Sequence, residues 1–176
     1  MPYLVRPNIR YHFSYLNALD EYQDESLDAG PPTFLLRDKN LFGKYLADIL
    51  AQADYPKSDE KTHSSFIMWW WVEGDQYLGR ISLRLYLNDY LELYGGHVGY
   101  DVRVSERGKG HATAMLSSVL SMAKALGYKE LLIVCEENNV SSRKVIEKNG
   151  GHLLGMVKDE NLITHLRFTV MTDHNT

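Results

Sequence analysis

Arg107-Gly108-Lys109-Gly110-His111-Ala112 is the stretch on which the reading of this chain turns. Before it, Gly96 to Val104 reads as a strand. After it, Ala112, Met115, Leu116, Val119, Leu120, Ala123 and Leu126 recur at helical spacing, and Gly127 stands where a helix C′ residue takes positive φ. A helix N-terminus leaves about four backbone N–H groups unpaired and carries roughly half a positive charge. Glycines at 108 and 110 let backbone approach a bulky anion, and Arg107 and Lys109 add charge. Strand, turn and helix together make a phosphate cradle. It is not a Walker A loop, since no Gly-x-x-x-x-Gly-Lys-Ser/Thr run surrounds Gly108. Nor is it the dinucleotide fingerprint, since Thr113 stands where a third glycine belongs. Taken alone, the segment also fits a tight turn that opens a helix.

Working outward, Glu130 to Cys135 is a continuous apolar run, as in a strand buried on both faces. Asn138-Asn139 offers a helix cap, a short helix follows to Lys148, and Asn149-Gly150-Gly151 stops it. His152–Val157 and Ile163–Val170 read as a closing pair of strands. Upstream, Ser65–Val72 and Tyr77–Leu87 flank the turn Glu73-Gly74-Asp75-Gln76 as a hairpin, and Asn88 to Glu92 reads as a loop. Helices are expected over Ile9–Tyr22, with Phe13, Leu16 and Leu19 on the apolar face, and over Lys39–Ala53. Gly30-Pro31-Pro32 breaks the chain between them, Tyr55–Asp59 is a loop, and Leu4–Arg6 is a short strand. The order is mixed α/β.

Composition sets the outer bounds. The 176 residues are 44% hydrophobic and 24% charged, which is ordinary for a globular domain. A net charge of -4 argues against a nucleic-acid binder. The acidic stretch Asp20, Glu21, Asp24, Glu25, Asp28 reads as a solvated helix end and loop, whereas Arg103, Arg107, Lys109 and His111 gather into a candidate anion site. Cys135 is the only cysteine, so no internal disulfide can form. The longest apolar run, Phe66 to Val72, falls far short of the ~20 residues of a membrane span, and the first residues lack the apolar core of a secretory signal. A cytoplasmic protein without a membrane partner is expected. The histidines show no zinc spacing, and no metal is expected.

At this point the sequence resembles the GNAT superfamily of acyl-CoA N-acyltransferases. Arg107 to Ala112 fits the family signature of Gln or Arg, two further residues, Gly, one residue, then Gly or Ala. Asn139 to Gly151 is similar to the family's Asn-led helix ending in Glu-Lys-x-Gly, and Gly95–Tyr100 is similar to a bacterial acetyltransferase subgroup. The resemblance implies a single domain over 1–176, with leading helices over 9–53 and a cofactor-binding core over 60–170. It also implies the GNAT fold, a mixed, mostly antiparallel central sheet splayed between its fourth and fifth strands, with helices on both faces. Acetyl-CoA would be the acyl donor, its pantetheine arm paired with backbone of Val102 and Val104 beside Arg103. Its pyrophosphate would lie on the amides of Arg107, Gly108, Lys109, Gly110, His111, Ala112 and Thr113, and Asn139 would touch the arm near the thioester.

The implied reaction is direct attack of a primary amine, on a small molecule or a peptide, through a tetrahedral intermediate. His97 is the favoured base, with Asp101 on the same strand face and Glu92 as weaker candidates. Ile146 stands where many members carry a proton-donating tyrosine, and Ser142, one turn earlier, is the substitute hydrogen-bond donor to sulfur. Core packing is the reading for Trp69-Trp70-Trp71 and for Cys135. Loss of the tyrosine supports an alternative, a catalytically weak acyl-CoA sensor or scaffold. Homodimers are frequent in the family.

Overall fold

The computed structural model describes residues 1–22, 34–54 and 64–173. Asp24, Glu25, Asp28, the Gly30-Pro31-Pro32 break and the Tyr55–Asp59 loop lie outside them. Strand β1 (Tyr3–Val5) leads through a single 3-10 turn to helix α1 (His12–Glu21), and α2 (Lys39–Ala51) follows. Then come β2 (Phe66–Glu73), β3 (Gln76–Arg84), a short α3 (Asp89–Tyr94), β4 (Val98–Val102), α4 (His111–Ala125) and β5 (Glu130–Glu136). The chain closes with α5 (Val140–Lys148), β6 (His152–Lys158) and β7 (Thr164–Met171).

β2 shows why the sheet forms where it does. Its run Phe-Ile-Met-Trp-Trp-Trp-Val is apolar throughout because both faces are covered. Met68, Trp70 and Val72 pack into one core with α1 and α2, while Trp71 enters a second core with α4 and α5. α1 meets the first core through rings. Tyr15 stacks on Trp70 at 4.8 Å, and His12 stacks on Phe42 at 4.3 Å while its Nε2 sits 2.7 Å from Leu36 O. Of the expected apolar face, Leu16 and Leu19 pack into this core and Phe13 does not. Phe13 is 72% exposed, and Tyr11, His12, Tyr15, Leu16 and Ala18 are the buried set. Aromatic and half-polar side chains carry that packing, and a count of aliphatic residues does not see them.

Asn88–Glu92, expected as a loop, enters a helix. Asn88 caps α3, its side-chain oxygen accepting from Leu91 N–H at 2.9 Å. With only Leu91 buried, α3 has no periodicity to detect. β4 is also shorter than expected, for Val104 to Glu106 form a 3-10 turn.

The strands make two antiparallel sheets, β1-β2-β3-β4 and β5-β7-β6. They meet at one bridge between Gly96 and Ile133, where His97 N–H donates to Leu132 O at 2.7 Å. Beyond it β4 and β5 part, which is the splay expected between the fourth and fifth strands. Among the described residues no helix is long and apolar enough to cross a membrane.

Gly96 makes that junction possible. It sits at φ 65°, and a Cβ there would lie 2.8 Å from Leu132 O and 3.0 Å from Val134 N. Both are backbone atoms of β5 that cannot swing aside. Gly96→Ala is therefore expected to cost about 2–4 kcal/mol, the left-handed penalty plus displacement of a strand. Urea unfolding with an unchanged m-value would measure it; a loss under about 1 kcal/mol would show that the junction yields freely.

Candidate active site

The splay opens a cleft of about 560 Å³ between β4, the glycine turn before α4, and α5. Its first wall is backbone. Arg84 N–H donates to His97 O at 2.7 Å and Arg103 N–H to Leu78 O at 2.9 Å. In an antiparallel pair such bonds alternate, so the carbonyl of 97 and residues 99, 101 and 103 bond toward β3. Val98, Tyr100 and Val102 therefore turn their N–H and C=O groups the other way, toward β5 and the wedge. Val102 O accepts from Arg107 Nε at 3.2 Å.

The second wall is the glycine turn. Gly108 and Gly110 take φ 77° and 86°, with open space where a Cβ would point, so conformation alone calls for glycine at both. The first backbone bond of α4 runs from Ala114 N–H to Gly110 O at 3.1 Å. The N–H groups of His111, Ala112 and Thr113 precede it, and all three residues line the cleft. His111 is fixed by its ring: Nδ1 accepts from Trp71 Nε1 at 3.1 Å, which leaves the proton on Nε2, 3.5 Å from Glu106. Lys109 bonds Glu106 at 2.8 Å and, with His111, holds that carboxylate below its usual range.

The third wall is α5. Asn139 caps it, accepting from Ser142 N–H at 2.9 Å. Ser142 lines the cleft, and its Oγ is 2.8 Å from the hydroxyl of Tyr100 on β4. Burial pushes the Cys135 thiol up, although the Ser142 hydroxyl beside it works the other way. Ile146 is fully buried in the core with α4 and lies outside the cleft.

With a helix N-terminus, outward backbone and polar α5 residues around one cleft, the comparisons with known proteins become informative. The family model described as the acetyltransferase (GNAT) domain matches residues 32–152. The chain belongs to the GNAT acetyltransferase family. Solved structures share its fold. RimJ of Mycobacterium smegmatis, in complex with CoA-disulfide, is 17% identical over 97% of this chain and 81% of its own, with a TM-score of 0.71. The ribosomal-protein-S5-alanine acetyltransferase of Vibrio fischeri is 15% identical over 99% and 95%, with a TM-score of 0.71. The microcin C7 self-immunity acetyltransferase MccE, in complex with acetyl-CoA and AMP, is 15% identical over 97% and 92%, with a TM-score of 0.68. No curated protein matches the chain by sequence.

Within this GNAT domain the expected site residues divide. Val102, Arg107, Gly108, Gly110, His111, Ala112, Thr113, Asn139 and Ser142 share the cleft, whereas Arg103, Val104, Lys109 and His97 are not on its wall. Arg103 is turned to the end of α1. Its Nε donates to Glu21 at 2.7 Å, and the other Glu21 oxygen accepts Ser105 N–H at 3.0 Å. So Glu21 is no part of a solvated acidic end. Val104 lies past the strand, its carbonyl accepting Arg107 N–H at 3.2 Å. Tyr100, Lys144 and Lys148 line the cleft and were not anticipated. For the two lysines, their i, i+4 spacing to each other, each three residues after Ser141 or Val145, was the available signal.

The structure turns the ring of His97, the expected base, toward β5 and off the cleft wall. Its Nδ1 is 3.0 Å from Leu132 N and 3.3 Å from Leu132 O. Since His97's own N–H already occupies that carbonyl, Nδ1 is the acceptor and the neutral ring carries its proton on Nε2. The ring packs edge-on to Tyr128 at 5.8 Å. Asp101 does reach the cleft, but it is ion-paired to part-buried Arg80 at 2.5 Å and accepts from Tyr22 Oη at 3.0 Å. Burial works against the Arg80 charge, and Asp101 outweighs it, holding the guanidinium above its usual range.

Burial, with Arg84 nearby, lowers the His97 pKa from its usual 6.5. Below about pH 6.5 the unfolded chain binds a proton that folded His97 refuses, so stability falls as pH drops from there through the folded value. His97→Gln is expected to flatten stability between about pH 6.5 and 5, whatever its effect at pH 7. Urea unfolding across that range checks it; equal slopes in both proteins would place the titration elsewhere.

Proposed function

We propose that this GNAT domain transfers the acetyl group of acetyl-CoA to a primary amine by direct attack on the thioester. The observation that carries the reading is the run of donors along one cleft. It passes from the amides of Gly108 to Thr113, past the outward backbone of Tyr100 and Val102, to the hydroxyls of Ser142 and Tyr100. The pyrophosphate would lie on the helix N-terminus, where dipole and unpaired N–H groups favour an anion. Arg107, Lys144 and Lys148 supply the remaining positive charge. The pantetheine amides would pair with β4 as an added strand. A backbone N–H on β4 would meet the oxyanion of the tetrahedral intermediate, and Ser142 would meet the sulfur.

The attacking amine must be neutral. At neutral pH roughly a tenth or more of an α-amine of pKa about 7.7–8.0 is unprotonated, against well under a thousandth of a lysine at about 10.4. With His97 turned to β5 and Asp101 paired to Arg80, neither expected base is left to take the proton of the amine. That favours an α-amine: a peptide N-terminus or a small α-amino compound. The Vibrio fischeri protein, named for acetylation of an alanine of ribosomal protein S5, suits the same acceptor class.

Calorimetry is expected to show acetyl-CoA binding, and Lys144→Ala with Lys148→Ala to weaken it about three- to tenfold with a shallower salt dependence. Thiol release over an amine panel is expected with peptides bearing free N-termini and to be about tenfold or more slower when that terminus is blocked. Binding without turnover on any amine would favour the sensor reading, whose support is Ile146. Absence of binding would remove both.

A further inference from the structure

The cleft contains a phenol that the mechanism above leaves unused. Tyr100 sits in the middle of β4, and its neighbour Asp101 is held on the α1 side by Arg80 and Tyr22. Strand alternation therefore turns the Tyr100 ring to the other side, where it packs against the α4–α5 core. Its hydroxyl crosses the wedge and reaches α5, 2.8 Å from Ser142 Oγ and 3.3 Å from Ser142 O. The Cys135 thiol of β5 lies beside the Ser142 hydroxyl. Two walls thus converge on one point, at the strand position whose backbone also faces the wedge. The helix position that resemblance assigns to a tyrosine holds Ile146, which has no polar atom and is fully buried.

Resting on the acetyl-transfer reading, we propose that Tyr100 is a catalytic hydrogen-bond donor to the departing CoA sulfur, working from β4 opposite Ser142 on α5. When the tetrahedral intermediate collapses, the new C–N bond stays, the C–S bond breaks, and its electron pair leaves on sulfur. Two hydroxyl protons are present for that charge. One can bridge Tyr100 and Ser142, and the other points to the thiolate. Charge-assisted bonds of this kind are about twice as strong as neutral ones, so the interaction grows as the bond breaks. Tyr100 keeps its own proton throughout. Burial, with Cys135 close by, pushes the phenol up to about 12, while Ser142 works the other way. The proton shed by the attacking nitrogen goes to solvent, and solvent later protonates the released thiolate.

The test is the acidity of the CoA thiol on the protein. Thiolate absorbance is titrated for the CoA complex, with desulfo-CoA as the reference that cancels Cys135. Asp101, Glu106, Arg107, His111, Lys144 and Lys148 also line the cleft and are common to every variant, so differences report the substituted hydroxyl. In the wild type the bound thiol is expected to titrate below about 8.5, the usual value for a thiol. Tyr100→Phe is expected to raise it by about one unit, a tenfold loss of thiolate, and to lower kcat about ten- to a hundredfold. Acetyl-CoA affinity should stay within about threefold. The Tyr100→Phe shift should persist in a Ser142→Ala background, because the contact to sulfur is direct. An unchanged thiol titration overturns the proposal even if kcat falls, and a shift that vanishes in the Ser142→Ala background does so too. If wild-type protein binds no CoA, it is the acetyltransferase reading that fails instead.

Discussion

The single bridge between Gly96 and Ile133 is the constraint on which the rest depends. A continuous ladder between β4 and β5 would leave no wedge, and two wholly separate sheets would leave nothing to hold its angle. At φ 65° Gly96 lets the β4 backbone come within touching distance of β5 and then turn away. The cost is borne by the backbone beyond it. Tyr100 and Val102 present polar groups to the gap, and buried N–H and C=O groups require partners. A gap lined in this way accepts an extended ligand as a missing strand would be accepted.

The gap keeps its shape because its walls belong to other structures. α4 and α5 share one core with β3, β4 and β5. Asn149, nearly fully buried, donates from the end of α5 to Thr113 O at the start of α4 and to Val145 O, so the two helix walls are tied together. On the far side, the Arg80–Asp101 pair fixes which way β4 faces. A buried charge pair is costly to break, so it pins the register: Asp101 to α1, Tyr100 to the wedge. Glu21 at the end of α1 holds Arg103 and the Ser105 amide, and Arg107 lies over the Tyr22 ring at 5.6 Å. The acidic end of α1 therefore braces the turn that leads into the glycines.

Substitution at Ile146 has a structural counterpart. Position 146 belongs to the core between α4 and β5, and a hydrogen-bonded pair of hydroxyls, those of Tyr100 and Ser142, stands in the cleft. Sequence comparison at one position registers a lost tyrosine; the packing of β4 against α5 brings in another.

What the sequence by itself determined was local. Gly108, Gly110 and the periodic run from Ala112 to Leu126 are consecutive features whose physics needs no other part of the chain, and they specified the strand–turn–helix. Asn139 was legible as a cap for the same reason. Only the tertiary structure decided the contacts made at long range. A helical wheel does not weigh the ring stacking that left Phe13 in solvent and buried Tyr15. Nothing in the spacing of Arg103 says that Glu21, 82 residues earlier, will take it out of the anion site. His97 had the residue type and strand position expected of a base, and only the fold shows that a backbone amide of β5 occupies its Nδ1. Residue type can be read from sequence; which lone pairs and charges are already spent depends on what the fold places beside them.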